Sequence, residues 1–492
     1  MNLVEELLFG DKIILFDGAM GTMLHSSGVS LGQSFDETNV TRPAIVASVH
    51  RAYVDAGADV IETNTFGANR VKLGSYGLSD RCAEINAAAA RIAGECAGDG
   101  VLVAGSVGPT GRLLCPLGPL GFDEAFEAFR EQILALCEGG VHLLIIETMQ
   151  DLREMKAAIL AARSVCDKPI ICQMSFAQEG RTIMGTDPAT AAVVLEAFRP
   201  ALLGTNCGTG PQDMLDTVSA MSSVARIGVS AQPNAGLPAF HEGRLMYLST
   251  PEYMAGFGRR FIEAGAVLIG GCCGTTPEHT KALAEALSGL KRPAVLMGRS
   301  VRLAGRSRMV ELGGPAPTNV IRVDCSSESA ESLIELAQSD GNAALCLEGL
   351  DESSAEGILR LIEGRAMVRV DDGFRLLGVV ARHGAVALAD VSDGSPEQRL
   401  ERARQTLDQG IRHGLGVSDV VMRIGDCIGS NGAANEDALR SMRLIKSELR
   451  LSSAIDVGDV SHRNDASQVF LREADAVIGA RFSGDASRNG EE

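Results

Sequence analysis

Eight short apolar runs, each followed by a longer stretch of helical periodicity, fill the first 295 residues and restrict what this chain can fold into more than any other feature. The runs are 13–16, 60–64, 101–106, 142–147, 170–175, 202–206, 228–232 and 267–271. Strands that alternate with helices build parallel sheets, because each helix carries the chain back to the starting edge. Eight βα units in this length predict a (β/α)8 barrel, with a doubly wound open sheet as the alternative. The intervening helices include 43–56, opened by Thr41-Arg42-Pro43, and 121–138, where Phe122, Phe126, Phe129 and Ile133 recur at helical spacing.

In such a barrel the C-terminal strand ends carry the chemistry, and nearly every unusual polar group falls at one. Asp17-Gly18-Ala19-Met20-Gly21-Thr22 follows the first run, Glu62-Thr63-Asn64-Thr65-Phe66 closes the second and Ser106-Val107-Gly108-Pro109 follows the third. Glu147-Thr148 ends the fourth, Asn206-Cys207 the sixth, and Pro233-Asn234-Ala235-Gly236 follows the seventh. The eighth leads into Gly270-Gly271-Cys272-Cys273-Gly274-Thr275-Thr276-Pro277.

Neighbouring strands lie about 4.8 Å apart, so the ends of the sixth and eighth are roughly 10 Å apart, with Asn234 on the seventh between them. Cys207, Cys272 and Cys273, reaching inward, can then meet one zinc ion at Zn–S distances of about 2.3 Å. Structural zinc sites take four close-spaced protein ligands, whereas three ligands with an open position mark a site that binds substrate. Three thiolates make the metal electron-rich, which suits a thiol better than water: the bound sulfur loses its proton and keeps its nucleophilicity. Cys82, Cys96, Cys137, Cys166, Cys172, Cys325, Cys346 and Cys427 are read as core packing, and Cys115, in a loop near the same mouth, is assigned to neither role.

Asp17 and Glu147 stand at opposite sides of the mouth, where they suit an ammonium group, while the Gly18-Ala19-Met20-Gly21 turn offers N–H groups to a carboxylate. Capping a helix is the structural alternative for either carboxylate. His25 and His142 are read as packing residues, since nothing in the sequence pairs them.

A chain of 492 residues exceeds the size at which one core keeps growing, which predicts two domains. With 45% apolar and 22% charged residues it has the composition of a soluble globular protein. No apolar run nears the roughly 20 residues of a membrane helix. The acidic start, Met1-Asn2-Leu3-Val4-Glu5-Glu6, is unlike a signal peptide, so a cytoplasmic location with reduced thiols is expected and the twelve cysteines are no disulfide framework. A net charge of −18 opposes nucleic-acid binding.

The domains expected are 1–292, a linker at 293–318 containing Gly313-Gly314-Pro315-Ala316-Pro317, a second α/β domain at 319–480 and a disordered tail at 481–492. Strands of the second domain are read at 320–325, 343–347, 366–371, 385–391, 419–424, 453–457 and 474–479, with helices at 397–411 and 435–449.

Over about residues 1–290 the motifs at the strand ends resemble the homocysteine S-methyltransferase family, and within it the homocysteine-binding module of cobalamin-dependent methionine synthases. The resemblance implies a (β/α)8 barrel in which Cys207, Cys272 and Cys273 bind Zn2+ and Asn234 fills the fourth position when substrate is absent. It further implies that Asp17, Glu147 and backbone near Gly18, Ala19 and Ser106 hold homocysteine by its amino and carboxylate groups. The reaction implied is methylation to methionine, with methylcobamide on a separate corrinoid protein as donor, since no cobalamin-binding or reactivation module is read in the sequence. S-Adenosylmethionine, S-methylmethionine, betaine and methyltetrahydrofolate are alternative donors, and a non-catalytic scaffold that docks corrinoid proteins is the alternative of a different class.

The second domain resembles, more weakly, the pterin-binding barrel of the same synthases, with Val368-Arg369-Val370-Asp371 where that barrel has a pterin-contacting aspartate. Leu347-Glu348-Gly349 replaces an Asp-x-Asn, and Gly458-Asp459 replaces an asparagine turn, so the domain reads as a degenerate relative. Methyltetrahydrofolate binding and a scaffold or docking role both stay open.

Overall fold

Most strands of the first half pass through a polar loop into a helix that begins with proline or behind a side-chain cap. Pro43, Pro188, Pro211, Pro251 and Pro277 each open a helix, where the missing N–H costs nothing. Asp151 and Asp187 accept from the N–H groups of Arg153 and Thr190, at 2.7 and 2.8 Å. The computed structural model describes residues 3–237, 239–241, 244–295, 298, 300–312, 318–326, 344–370, 374–425, 427, 435–456 and 474–482. The chain divides into two units, Met1–Leu296 and Met297–Glu492.

The first unit is built on eight parallel strands: β1 (Ile14–Leu15), β2 (Val60–Glu62), β3 (Leu102–Val107), β4 (Leu143–Met149), β5 (Ile170–Met174), β6 (Leu202–Asn206), β7 (Val229–Gln232) and β8 (Ala266–Ile269). Each pairs with the next in sequence from β2 to β8, and β8 pairs with β1. A parallel bridge from Phe16 to Val60, with Asp17 N–H donating to the Val60 carbonyl at 3.1 Å, closes the ring. This is the (β/α)8 barrel, not the open sheet. Val60, Leu102, Leu143, Leu202 and Val267, near the strand starts, pack inside it with Leu7 and Leu8 of the helix Leu3–Phe9. Burying each leucine contributes roughly 1.5–3 kcal/mol. Arg292 donates to the Leu7 and Leu8 carbonyls at 3.0 and 2.6 Å, satisfying the helix end. One end of the barrel is thereby filled, and the mouth at the strand C-termini is left for chemistry.

The second unit closes seven parallel strands: β9 (Thr318–Asp324), β10 (Leu345–Glu348), β11 (Met367–Val370), β12 (Val386–Asp390), β13 (Val420–Arg423), β14 (Ser452–Asp456) and β15 (Ala476–Phe482). β15 returns to β9, pairing Val320 with Ile478 and Arg322 with Arg481. Two expectations are corrected here. Arg481 and Phe482, read as the start of a disordered tail, are strand residues, because a closed barrel must give β9 a second partner. Within the expected linker 293–318, Arg302–Ala304 and Met309–Glu311 form an antiparallel hairpin. Val301, Leu303 and Leu312 join the inner core with Cys346, Met367 and Val386, so the segment is retained by apolar burial. Asp371, Gly458 and Asp459 lie outside the described residues.

Candidate functional site

Three backbone hydrogen bonds tie the ends of β6, β7 and β8 together. Cys207 N–H donates to the Gln232 carbonyl at 3.1 Å, Cys272 N–H to Pro233 at 2.8 Å and Ala235 N–H to the Cys273 carbonyl at 2.9 Å. Cys207 and Thr148 hold left-handed backbone at φ 56° and 59°, a conformation that costs a non-glycine residue energy and that clusters at functional sites. Gly208 follows with φ 71°, where a Cβ would stand 2.2 Å from the Phe176 carbonyl oxygen, so only glycine fits.

This framework gathers the sulfurs of Cys207, Cys272 and Cys273 within 4.8 Å of one another, with Cys207 and Cys273 3.9 Å apart. Two thiolates on one tetrahedral zinc are separated by about 3.8 Å, from Zn–S bonds of about 2.3 Å. Hydrogen bonds from Cys272 and Cys273 pull the Cys207 thiol down to about 3, and in exchange those two are held high. One negative charge shared by three crowded sulfurs is a donor set that fits a soft cation. Asn234 is buried beside Cys207, and its Oδ1 has no hydrogen-bond partner, leaving an oxygen donor in reserve. Neither His25 nor His142 joins the group: His25 Nδ1 bonds the Val29 carbonyl at 3.0 Å, and His142 Nδ1 accepts from Val103 N–H at 2.9 Å. Cys115 is exposed and does not line the cavity.

The other wall is made of carboxyls. Ser106 Oγ donates to Glu147 Oε1 at 2.5 Å, and Asn206 Nδ2 donates to Glu147 Oε2 at 2.8 Å. The same Asn206 amide lies 3.9 Å from Cys272 Sγ, so a single side chain spans from carboxyl to thiol. Asp17 Oδ2 accepts from Glu62 N–H at 2.9 Å, while its Oδ1 is buried without a partner. Burial raises all three carboxyls, Asp17, Glu62 and Glu147, and the first two go well above their ordinary range, Glu147 adding repulsion. Among the described residues none of the three is ion-paired to a lysine or arginine. The cluster is therefore a buried acidic wall whose charge awaits a cation. Ala19 N–H and Ser106 N–H are each donated to a threonine hydroxyl, at 3.0 Å to Thr275 and 3.0 Å to Thr63, which leaves Ser106 acting through its hydroxyl.

Both walls line one cavity of about 560 Å³. Glu62, Thr148 and Asn206 stand in the strand-end motifs without an assigned role, and Gln232 is the last residue of the seventh run. Glu62 ends β2, and Glu147 lies near the end of β4, two residues before its final Met149; that parallel was the available signal. Gln173 donates to Gln232 at 2.6 Å and Gln232 to Glu62 at 2.7 Å, a relay that orients the third carboxyl. Tyr247 had no sequence signal: it is hydrogen-bonded to Cys273, and a Cβ on Gly274 would meet its ring at 2.1 Å.

The family model "Homocysteine S-methyltransferase" matches residues 14–287. The methionine synthase of Mycobacterium tuberculosis (strain ATCC 25618 / H37Rv) is 35% identical over 304 residues, 58% of this chain and 25% of that protein. That of Mycobacterium leprae (strain TN) is 34% identical over 305 residues, with the same coverage of 58% and 25%. The chain thus spans about a quarter of the length of these curated relatives. The metallated homocysteine methyltransferase MmuM from Escherichia coli shares the fold, with a TM-score of 0.50 and 23% identity over 58% of this chain and 99% of that one. With more than half of its length matched by the family model, the chain belongs to the homocysteine S-methyltransferase family.

Proposed function

We propose that this protein is a zinc-dependent S-methyltransferase that methylates homocysteine to methionine, with a methyl-corrinoid on a separate protein as donor. One observation carries the reading: a three-thiol cluster and an acidic wall with no counter-cation among the described residues share one cavity, and Asn206 spans the two. Homocysteine has a thiol and an ammonium group four bonds apart. Zn2+ held by Cys207, Cys272 and Cys273, with Asn234 in reserve, would supply the charge that lets a bound thiol lose its proton at neutral pH.

The remaining work falls to side chains of this chain. Glu147, fixed by Ser106 and Asn206, receives the ammonium, and Asp17 Oδ1 faces it from the other side. The ammonium offsets the repulsion among Asp17, Glu62 and Glu147, so binding relieves a cost built into the fold. With the Ala19 N–H committed to Thr275, the other N–H groups of the Gly18-Ala19-Met20-Gly21 turn on the same wall receive the carboxylate. Held at both ends, the sulfur is aimed at the opening, where it forms a new S–CH3 bond as the donor's bond to that methyl breaks.

Beyond this polar end the cavity is lined by Leu31, Phe66 and Tyr76, 60%, 42% and 42% exposed. An apolar, open rim supports a bulky donor presented from outside. In the second unit, Glu348 stands where the pterin-binding barrel has its Asp-x-Asn, and it is ion-paired with Arg369 and Arg322 at 3.5 and 3.9 Å. That pairing favours a donor other than methyltetrahydrofolate.

Cys272→Ser should lose bound zinc and homocysteine turnover together. Turnover retained at undiminished zinc would sink the thiol-activation reading. Supplying homocysteine with a methylated corrinoid protein, S-adenosylmethionine, S-methylmethionine, betaine or methyltetrahydrofolate in turn tests the donor. Turnover with a donor other than the corrinoid protein removes that part alone.

A further inference from the structure

Cys137 and Cys166 correct the expectation that both are simple core residues. Each is only partly buried, and Cys137 Sγ donates to Cys166 Sγ across 3.1 Å. Cys137 lies in the last turn of the helix Phe122–Glu138, and Cys166 is the extended residue that ends the helix Leu152–Val165. These helices precede and follow β4, which carries Glu147. The pair is far in sequence from Cys207, Cys272 and Cys273 and has no part in the metal site. Two sulfurs at this spacing need to move by only about 1 Å to reach the disulfide length of about 2.05 Å.

We propose that Cys137 and Cys166 form a dithiol–disulfide modification site that reacts with low-molecular-weight disulfides such as oxidised glutathione, clasping the two helices around β4. Cys166 is the attacking sulfur. It accepts the hydrogen bond from Cys137 and another from the Lys168 backbone, with Lys168 and Arg163 adding positive charge. Together these bring its thiol down to about 6, while Cys137 stays protonated. The Cys166 thiolate attacks one sulfur of the reagent RSSR, forming a mixed disulfide and expelling RS−. Cys137 then gives up its proton and attacks the Cys166 sulfur, expelling the second RS−. The protein dithiol is oxidised by two electrons, and RSSR is reduced to two RSH.

The test treats the full chain with oxidised glutathione at pH 7.5 (roughly one unit below the ordinary cysteine value), quenches in acid and maps the digest without reduction. The expected product joins the Cys137 and Cys166 peptides, two hydrogens lighter than the reduced pair, at an oxidant level that leaves Cys115 unlinked. Cys137→Ser should stop the reaction at a glutathione adduct on Cys166, and Cys166→Ser should abolish both adduct and link at these positions. Two free thiols in the wild-type chain, at oxidant levels that already modify exposed Cys115, would overturn the proposal. An adduct that accumulates on Cys137 in place of Cys166 would overturn the assigned direction of attack. Neither result depends on homocysteine or zinc, so the proposed function stands or falls separately.

Discussion

The two barrels present polar groups at the C-terminal ends of their strands in opposite electrostatic states. In the first, Asp17, Glu62 and Glu147 are buried together with no cationic partner among the described residues, and burial raises all three. In the second, Asp390 pairs with Arg369 at 2.9 Å and with Arg423, while Glu348 pairs with Arg369 and Arg322. Burial opposes ionisation of Asp390 too, yet Ser392 and the two arginines hold its carboxyl below the ordinary value. A mouth that keeps its charge unanswered costs stability and is poised to bind. A mouth that answers its own charge is neutralised in place. Carboxylates alone do not mark a ligand site; the missing counter-charge does.

This contrast can be broken by experiment. The largest effect is expected at Glu147. Replacing it by Gln removes the charge that meets the ammonium, and a lost hydrogen bond to a charged group, worth about 1.5–3 kcal/mol, raises KM for homocysteine roughly 10–100-fold. An unchanged KM would show that the ammonium is bound elsewhere. Asp390→Asn in the second barrel should act on stability alone. Its carboxylate side chain is 28% exposed, so the loss should be about 1–2 kcal/mol, below the 3–5 kcal/mol of a fully buried pair, with KM for homocysteine unmoved. Calorimetry and a homocysteine titration on one preparation separate the two outcomes.

The smallest effect is expected at Glu62, and its sign is the informative part. Its carboxyl is raised well above 4.5, so between about pH 4.5 and that higher value the native state keeps a proton the unfolded chain has released. Stability then falls as pH rises through this window. Glu62→Gln retains an oxygen to accept from Gln232 and removes the penalty, so it should stabilise by about 1 kcal/mol at neutral pH and by nothing below pH 4. Denaturant midpoints at several pH values measure this. Equal destabilisation at pH 4 and pH 8 would mean that Glu62 is held by packing and not by charge balance.

Much of this molecule is legible in its sequence, because periodicity is a local property. Strand 202–206 is Leu202–Asn206, and the helix expected from 43 begins at Pro43, since apolar alternation and proline act on their own neighbours. The hairpin at Arg302–Ala304 and Met309–Glu311 escaped because only the barrel it fills gives those few apolar residues a reason to order. Strand β15 ran past its expected end for a similar reason, as its last pairings serve barrel closure.

The sequence by itself determined the residue types at the strand ends: thiols after β6 and β8, carboxylates at β1, β2 and β4. Only the tertiary structure decided which of them meet and in what charge state. Cys137 and Cys166 looked like packing residues until two helix ends brought them to 3.1 Å, and Glu62 looked like the end of a strand until Glu147 was set beside it. The physical reason is range. Side-chain periodicity is written in a few consecutive residues, whereas burial, counter-charge and sulfur proximity depend on segments that the sequence keeps tens of residues apart.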